Sequence, residues 1–168
     1  IVAHNGLYFD VPVLEDLYDF NPKGKHRDTL VLSRMIKADE KERDFRRHGR
    51  DKRRKNIPWD QKFPGKLIGS HGLKAWGYRL GLHKGDYADV REAQAKELGI
   101  TDDAEITQFV WGTWNQEMDD YCVQDVVVTK ALWDELQPHE WDQEAVLIEH
   151  RIHDLMGRQC DLGVPFDV

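Results

Sequence analysis

The sequence predicts a helix-rich α/β domain with very little strand. Ile1-Val2-Ala3 is a short apolar run that stops at the turn signal His4-Asn5-Gly6, and it reads as the end of a buried strand. Apolar residues then recur at spacings of three and four over several stretches, the longest from Thr113 to Leu136. Between them, Asp28-Thr29-Leu30-Val31-Leu32-Ser33-Arg34-Met35-Ile36 is largely apolar and suits a short strand running into a helix.

The first helix is expected from about Val11 to Tyr18. Pro12 falls in its first turn, where a missing N–H costs nothing, and Val13, Leu14 and Leu17 make its apolar face. Residues 37–66 are polar, basic and interrupted by Pro58, Pro64 and Gly65, so they read as an insertion loop. Ser70 suits the cap of a helix carrying Leu73, Trp76, Gly77 and Leu80, which Gly81 stops. Residues 82–106 show one acidic helical stretch near 89–98. In the 113–136 helix, Met118, Tyr121, Cys122, Asp125, Val126, Thr129 and Leu132 fall near one face. A last helix spans about Trp141 to Gln159, and Cys160 to Asp167 reads as a turn and a new extended start. No internal repeat is present.

With 168 residues, 40% hydrophobic and 33% charged, the chain can bury one real core. No apolar run approaches the roughly 20 residues a bilayer-spanning helix needs. Cys122 and Cys160 form no Cys-x-x-Cys pattern, which argues against a zinc site or a disulfide framework and for a reducing compartment. The sequence opens at Ile1 inside an apparent strand and closes at Val168 in an apparent turn, so it is expected to be a piece of a longer chain. Net charge is -7, yet residues 41–55 hold nine Lys or Arg against three acids, a surplus of +6 that leaves -13 elsewhere. Such a basic segment on an acidic body suits either a solvated loop or a finger that contacts DNA phosphates.

Two constellations are suited to chemistry. Asn5-x-x-x-Phe9-Asp10 sets a carboxylate at the mouth of a strand-to-helix connection, with an amide and an aromatic beside it. Tyr121-x-x-x-Asp125 sets a phenol and a carboxylate on one side of a helix. Magnesium takes hard oxygen ligands and is usually held by few carboxylates, and two-metal phosphodiesterases draw those carboxylates from different elements. Plainer readings exist for each residue. Asp10 also suits a helix cap, and Tyr121 and Asp125 also suit an interior tyrosine and a surface carboxylate. Glu149, His150 and His153 form a metal-capable cluster that equally fits a solvated helix face.

Asn5-x-x-x-Phe9-Asp10 resembles the second exonuclease motif of the DEDD superfamily, and Tyr121-x-x-x-Asp125 resembles its third motif in the tyrosine form. The histidine form places a His five residues before the Asp, where this chain has Asp120. The longer strings AHNGLYFDVPVL, DTLVLSRMI, GSHGLKAWGYRLG and DDYCVQDVVVTKALW closely resemble the exonuclease domain of family A replicative polymerases from short-tailed phages of the T-seven group. The resemblance covers nearly the whole chain and is weakest at 41–60 and 83–110. The stretch from Glu149 through Asp167 resembles the entry into the polymerase domain of the same family. It implies a partial exonuclease domain at 1–144, with a basic insertion at 41–60, and the start of a polymerase domain at 145–168. The Asp-x-Glu first motif is absent, and the resemblance implies that its strand would lie ahead of Ile1.

The resemblance implies a ribonuclease-H-like α/β fold that lacks its opening antiparallel strands and keeps short parallel strands near 1–4 and 26–30. It also implies proofreading 3′–5′ hydrolysis of DNA by two magnesium ions, with manganese as a substitute. Asp10 and Asp125 would be metal ligands, Tyr121 would orient the attacking water, and Asn5 and Phe9 would meet the terminal nucleotide. The implied partners are the single-stranded primer 3′ end and a processivity factor bound by the polymerase part, with no membrane, in the cytoplasm of a bacterial host. With two expected ligands missing, the segment alone is expected to be inactive. A ribonuclease of the same superfamily that trims RNA 3′ ends, and a non-catalytic DNA-binding domain of the same fold, are the rival readings.

Overall fold

The computed structural model describes residues 1–21, 23–58, 61–82 and 87–163. Strand β1 (Val2–Ala3) pairs in parallel with β2 (Arg27–Asp28), with Val2 opposite Arg27 and Ala3 opposite Asp28. Helix α1 (Asp10–Tyr18) lies in the connection between them, and α2 (Thr29–Ile36) leaves directly from the end of β2. Asp28 is what turns strand into helix: its side chain caps α2 by accepting from Leu30 N–H at 2.9 Å. Both short strands expected near 1–4 and 26–30 are therefore present, and α1, α2 and the helices below make the chain mostly helical.

Helices α4 (Leu73–Leu80), α7 (Gln116–Leu136) and α8 (Gln143–Leu162) close around α2. Leu32 from α2, Trp76 from α4, Val128, Leu132 and Leu136 from α7, and Val146 from α8 form the buried core. The period-3.6 pattern of α7 explains its share, because residues four apart share a face. Gly81, in left-handed backbone with φ +70°, ends α4. Ser70 stands two residues ahead of that helix's N-cap, Gly72, and its hydroxyl accepts from Gly72 N–H instead. Asn115 caps α7 through Met118 N–H at 2.9 Å, and Asp142 caps α8 through Glu144 and Ala145.

Three expectations need correction. Residues 37–66 are not one open loop: the 14-residue α3 (Glu40–Arg53) occupies nearly half of them. Its acids and bases fall at helical spacing, so Asp39 pairs with Arg43 and Asp51 with Arg47 across one turn. Glu40, Asp44 and Asp51 are buried on its inner face. Secondly, α8 runs on through Cys160, Asp161 and Leu162 before Gly163 stops it, and the extended start expected at 164–167 lies outside the described residues. Thirdly, where one helical stretch was expected near 89–98, two helices precede α7. They are α5 (Tyr87–Glu97) and α6 (Asp103–Trp111), the second capped by Asp102. The Tyr87 hydroxyl donates to the Val110 carbonyl at 2.9 Å and joins the pair.

Val13 and Leu17, expected as the buried stripe of α1, are 44% and 67% exposed, and no residue of α1 is buried. Among the described residues no helix is long and apolar enough to cross a membrane. Cys122 and Cys160 are exposed thiols without a disulfide.

Candidate active site

The site begins with the turn after β1. Asn5 adopts left-handed backbone with φ +62°, which asparagine tolerates better than most residues. Gly6 is buried so tightly that a Cβ there would collide with the Ala3 Cβ. The turn is held from below by Asp28, which is 1% exposed. One of its carboxylate oxygens accepts from Asn5 N–H at 2.9 Å, and the other accepts from Leu7 N–H at 3.1 Å. The backbone N–H of Asp28 donates to His150 Nε2 at 2.8 Å, and the other ring nitrogen of His150 lies 2.7 Å from the Val146 carbonyl. His150 thus accepts through Nε2 and donates through Nδ1, a neutral tautomer. Burial pushes its pKa below the usual histidine range, in the same direction.

This chain of bonds fixes where α1 starts, and hence where Asp10 stands. Asp10 is the first residue of α1, one position past its N-cap Phe9, which makes no side-chain cap. Its carboxylate rests over the Gly6 turn. Asp10 shares a cavity of about 400 Å³ with Asn5, Phe9, Asp125, His4 and Thr129. Aspartates 115 positions apart, on α1 and α7, therefore converge on one space. Partial burial raises the Asp10 pKa above the ordinary carboxylate range, and the nearby Asp28 carboxylate adds to the rise. A second cavity of about 460 Å³ adjoins through His4, Asn5 and Leu73 and is lined further by Arg34, Ser70 and His71.

Tyr121 is not in the shared cavity. Its ring lines a neighbouring one with Tyr87, Arg91 and Gln124. It packs 5.8 Å from the Tyr87 ring and 6.2 Å from the Trp111 ring. Residues i and i+4 differ by about 40° around a helix of 3.6 residues per turn. Tyr121 thus lines a different cavity from Asp125 one turn further along α7, with its ring packed on the α5–α6 side.

The Glu149, His150 and His153 cluster is no metal centre, since His150 is spent on Asp28 and Val146 while Glu149 is exposed. Among the described residues no group of three or more His, Cys, Asp or Glu is placed to hold a metal ion.

No family model matches the chain. It is 39% identical over 193 residues to a protein of Escherichia phage T7 named DNA-directed DNA polymerase, which covers 99% of this chain and 26% of the relative. It is 38% identical, with the same coverage, to the DNA-directed DNA polymerase of Enterobacteria phage T3. The chain matches a segment of the T7-group phage DNA polymerases. It spans about a quarter of the length of these curated relatives.

Sequence reasoning missed two residues of this chain that shape the site. Asp28 was visible only as the start of an apolar stretch, although an Asp directly before Thr-Leu-Val-Leu is a helix-cap signal. His4 lines both cavities and its Nδ1 lies 3.0 Å from the Thr29 hydroxyl, which fixes its ring. No local pattern distinguishes such a histidine from one in any turn.

Proposed function

We propose that this chain is part of the 3′–5′ proofreading exonuclease of a phage DNA polymerase, working in the host cytoplasm on the frayed 3′ end of a DNA primer. The observation that carries the reading is the convergence of Asp10 and Asp125, 115 positions apart, on one cavity beside Asn5 and Phe9. The polymerase names of the relatives support DNA as the substrate. A ribonuclease-H-like fold fits the parallel β1–β2 pair with α2 running on from it.

The donors fit magnesium in kind: both are carboxylate oxygens, and an Asp10 carboxylate destabilised by burial and by Asp28 gains from a cation beside it. Two carboxylates are part of a two-metal donor set, so the reading requires further carboxylates from the longer protein. When bound, two magnesium ions, or manganese in their place, would lower the pKa of the attacking water and stabilise the leaving 3′ oxygen. Asp125 and Asp10 would hold the ions. Asn5 and the 64%-exposed Phe9 ring would seat the terminal nucleotide at the rim. Water would attack the phosphorus, the bond to the 3′ oxygen would break, and a nucleoside monophosphate would leave. Tyr121, one turn before Asp125 on α7 and packed on the Tyr87 and Trp111 rings, would orient that water.

The test uses the full polymerase and a 3′-labelled, mismatched primer. Asp125→Ala should abolish release of the labelled monophosphate while primer extension survives, and Tyr121→Phe should slow release. Normal excision by Asp125→Ala would remove the reading.

A further inference from the structure

The charge run at 41–55 takes on a shape in the structure that composition alone does not give. Helix α3 is two-sided. Its inner face carries Glu40, Asp44 and Asp51, all buried. Asp44 accepts from Arg79 Nε at 3.1 Å and from Arg79 Nη2 at 2.6 Å, and Gly69 N–H donates to the same carboxylate at 2.9 Å. Asp51 accepts from Phe63 N–H at 3.2 Å. The acids of the segment are thus spent internally, and Glu42 is the single exposed acid from 40 to 55. The cations stay outside. Arg46, Arg50, Lys52 and Arg53 of the helix, and Arg54 and Lys55 just past its end, are exposed and form no ion pair among the described residues.

This cationic face is fastened to the candidate site. Asp44 and Arg79 hold Gly69 and Ser70, the latter through its carbonyl at 2.7 Å, and both residues line the cavity that adjoins the Asp10–Asp125 cavity. The Lys41 stem packs directly against Gly69. The helix that presents the cations is therefore braced against the wall of the site.

We propose that the outer face of α3 docks the phosphate backbone of DNA, holding a strand whose end lies in the Asp10–Asp125 cavity. The proposal rests on the nuclease reading for the second half of that statement, and on the helix alone for the first. Four of these six cations are arginines, whose planar fork matches phosphate in two parallel hydrogen bonds. Phe45 is the one exposed aromatic of the helix, so base stacking is not its mode. The face also lacks the buried apolar anchors that centre a protein–protein interface, which favours nucleic acid over an acidic protein segment.

The test is the salt dependence of binding by the full polymerase to two labelled DNAs of unrelated sequence, between about 50 and 200 mM salt. Replacing Arg46, Arg50, Arg53 and Arg54 by Gln should weaken both alike and flatten the slope of log K against log salt by up to about 0.7–0.9 per phosphate no longer neutralised. Over that fourfold change in salt each phosphate accounts for about threefold in affinity. A control removing Arg151 and Arg158 from α8 should leave the slope unchanged, and an unaltered melting profile keeps the comparison one of binding. An unchanged slope in the α3 variant overturns the proposal. So does the finding that a polyglutamate peptide, rather than DNA, loses affinity in that variant. Asp10→Asn separates the two readings: it should stop hydrolysis without altering the slope. Flattening of the slope by the α3 variant in a protein that never hydrolyses DNA would keep the docking face and remove the nuclease.

Discussion

Trp76 and Arg79 stand nearly one turn apart on α4, and the Arg79 guanidinium lies 4.6 Å over the Trp76 ring. They mark a seam between two kinds of packing. On the Trp76 side, α2, α7 and α8 meet through Leu32, Val128, Leu132, Leu136 and Val146, and burial of apolar surface holds them. On the Arg79 side, α3 is held by carboxylates: Arg79 is 7% exposed, its partners Asp44 and Glu40 are 2% and 8% exposed, and His48 Nδ1 bonds the Phe63 carbonyl at 2.7 Å. Burial pushes the Glu40 pKa up despite Arg79. The two sides differ in how they fail. Truncating a buried apolar side chain leaves a void, whereas breaking a buried ion pair leaves a charge without a partner.

The largest stability effect should therefore come from Arg79→Leu. Leaving Asp44 and Glu40 buried without their cation should cost about 3–5 kcal/mol, read by urea denaturation, with the α3 amides losing hydrogen-exchange protection first. Adding Asp44→Leu to that variant should restore part of the loss, because an apolar pair in place of a buried ion pair is often neutral or better. A cost below about 1 kcal/mol for Arg79→Leu would show that the polar side contributes little.

Leu132→Ala is the matching break on the apolar side. It should cost about 2–5 kcal/mol and lower protection across α2, α4, α7 and α8 together. If it loosened α3 alone, the division at α4 would be drawn in the wrong place.

A gentler effect should come from pH. His150 and His71 both have pKa values held below the usual histidine range, chiefly by burial. A depressed folded pKa means the unfolded chain binds protons first as pH falls, so stability is complete above the unfolded value of about 6.5 and declines below it. His150→Gln should flatten that decline, because Asp28 N–H then meets an acceptor that does not titrate. A decline of the same steepness in that variant would assign it to His71 and the carboxylates.

The seam also marks how far the sequence could be read. The apolar side was legible: Leu132 and Leu136 follow the helical period of α7, Gly81 stops α4, and the short strands fell where expected. The polar side was not. The dense charge of 41–55 hides which acids turn inward, and that depends on Arg79, which is 35 positions beyond Asp44. The site shows the same division. Asn5, Phe9, Asp10 and Asp125 line one cavity, residues that short motifs could single out. Tyr121 lines a separate cavity, its ring against Tyr87 and Trp111, residues whose nearness no local spacing reveals. The stripe expected on α1 failed because Val13 and Leu17 find no partner among the described residues to cover them.

The central claim is that Asp10 and Asp125 act on one phosphodiester as a unit. Groups that act as a unit are far from additive when removed. The direct measurement is the rate of mismatched 3′-end excision by the full polymerase carrying Asp10→Ala, Asp125→Ala or both. Each single substitution should lower the rate nearly as far as the pair does, while primer extension stays normal. Independent effects that multiply in the double variant, or a single variant that excises at the full rate, would contradict the account.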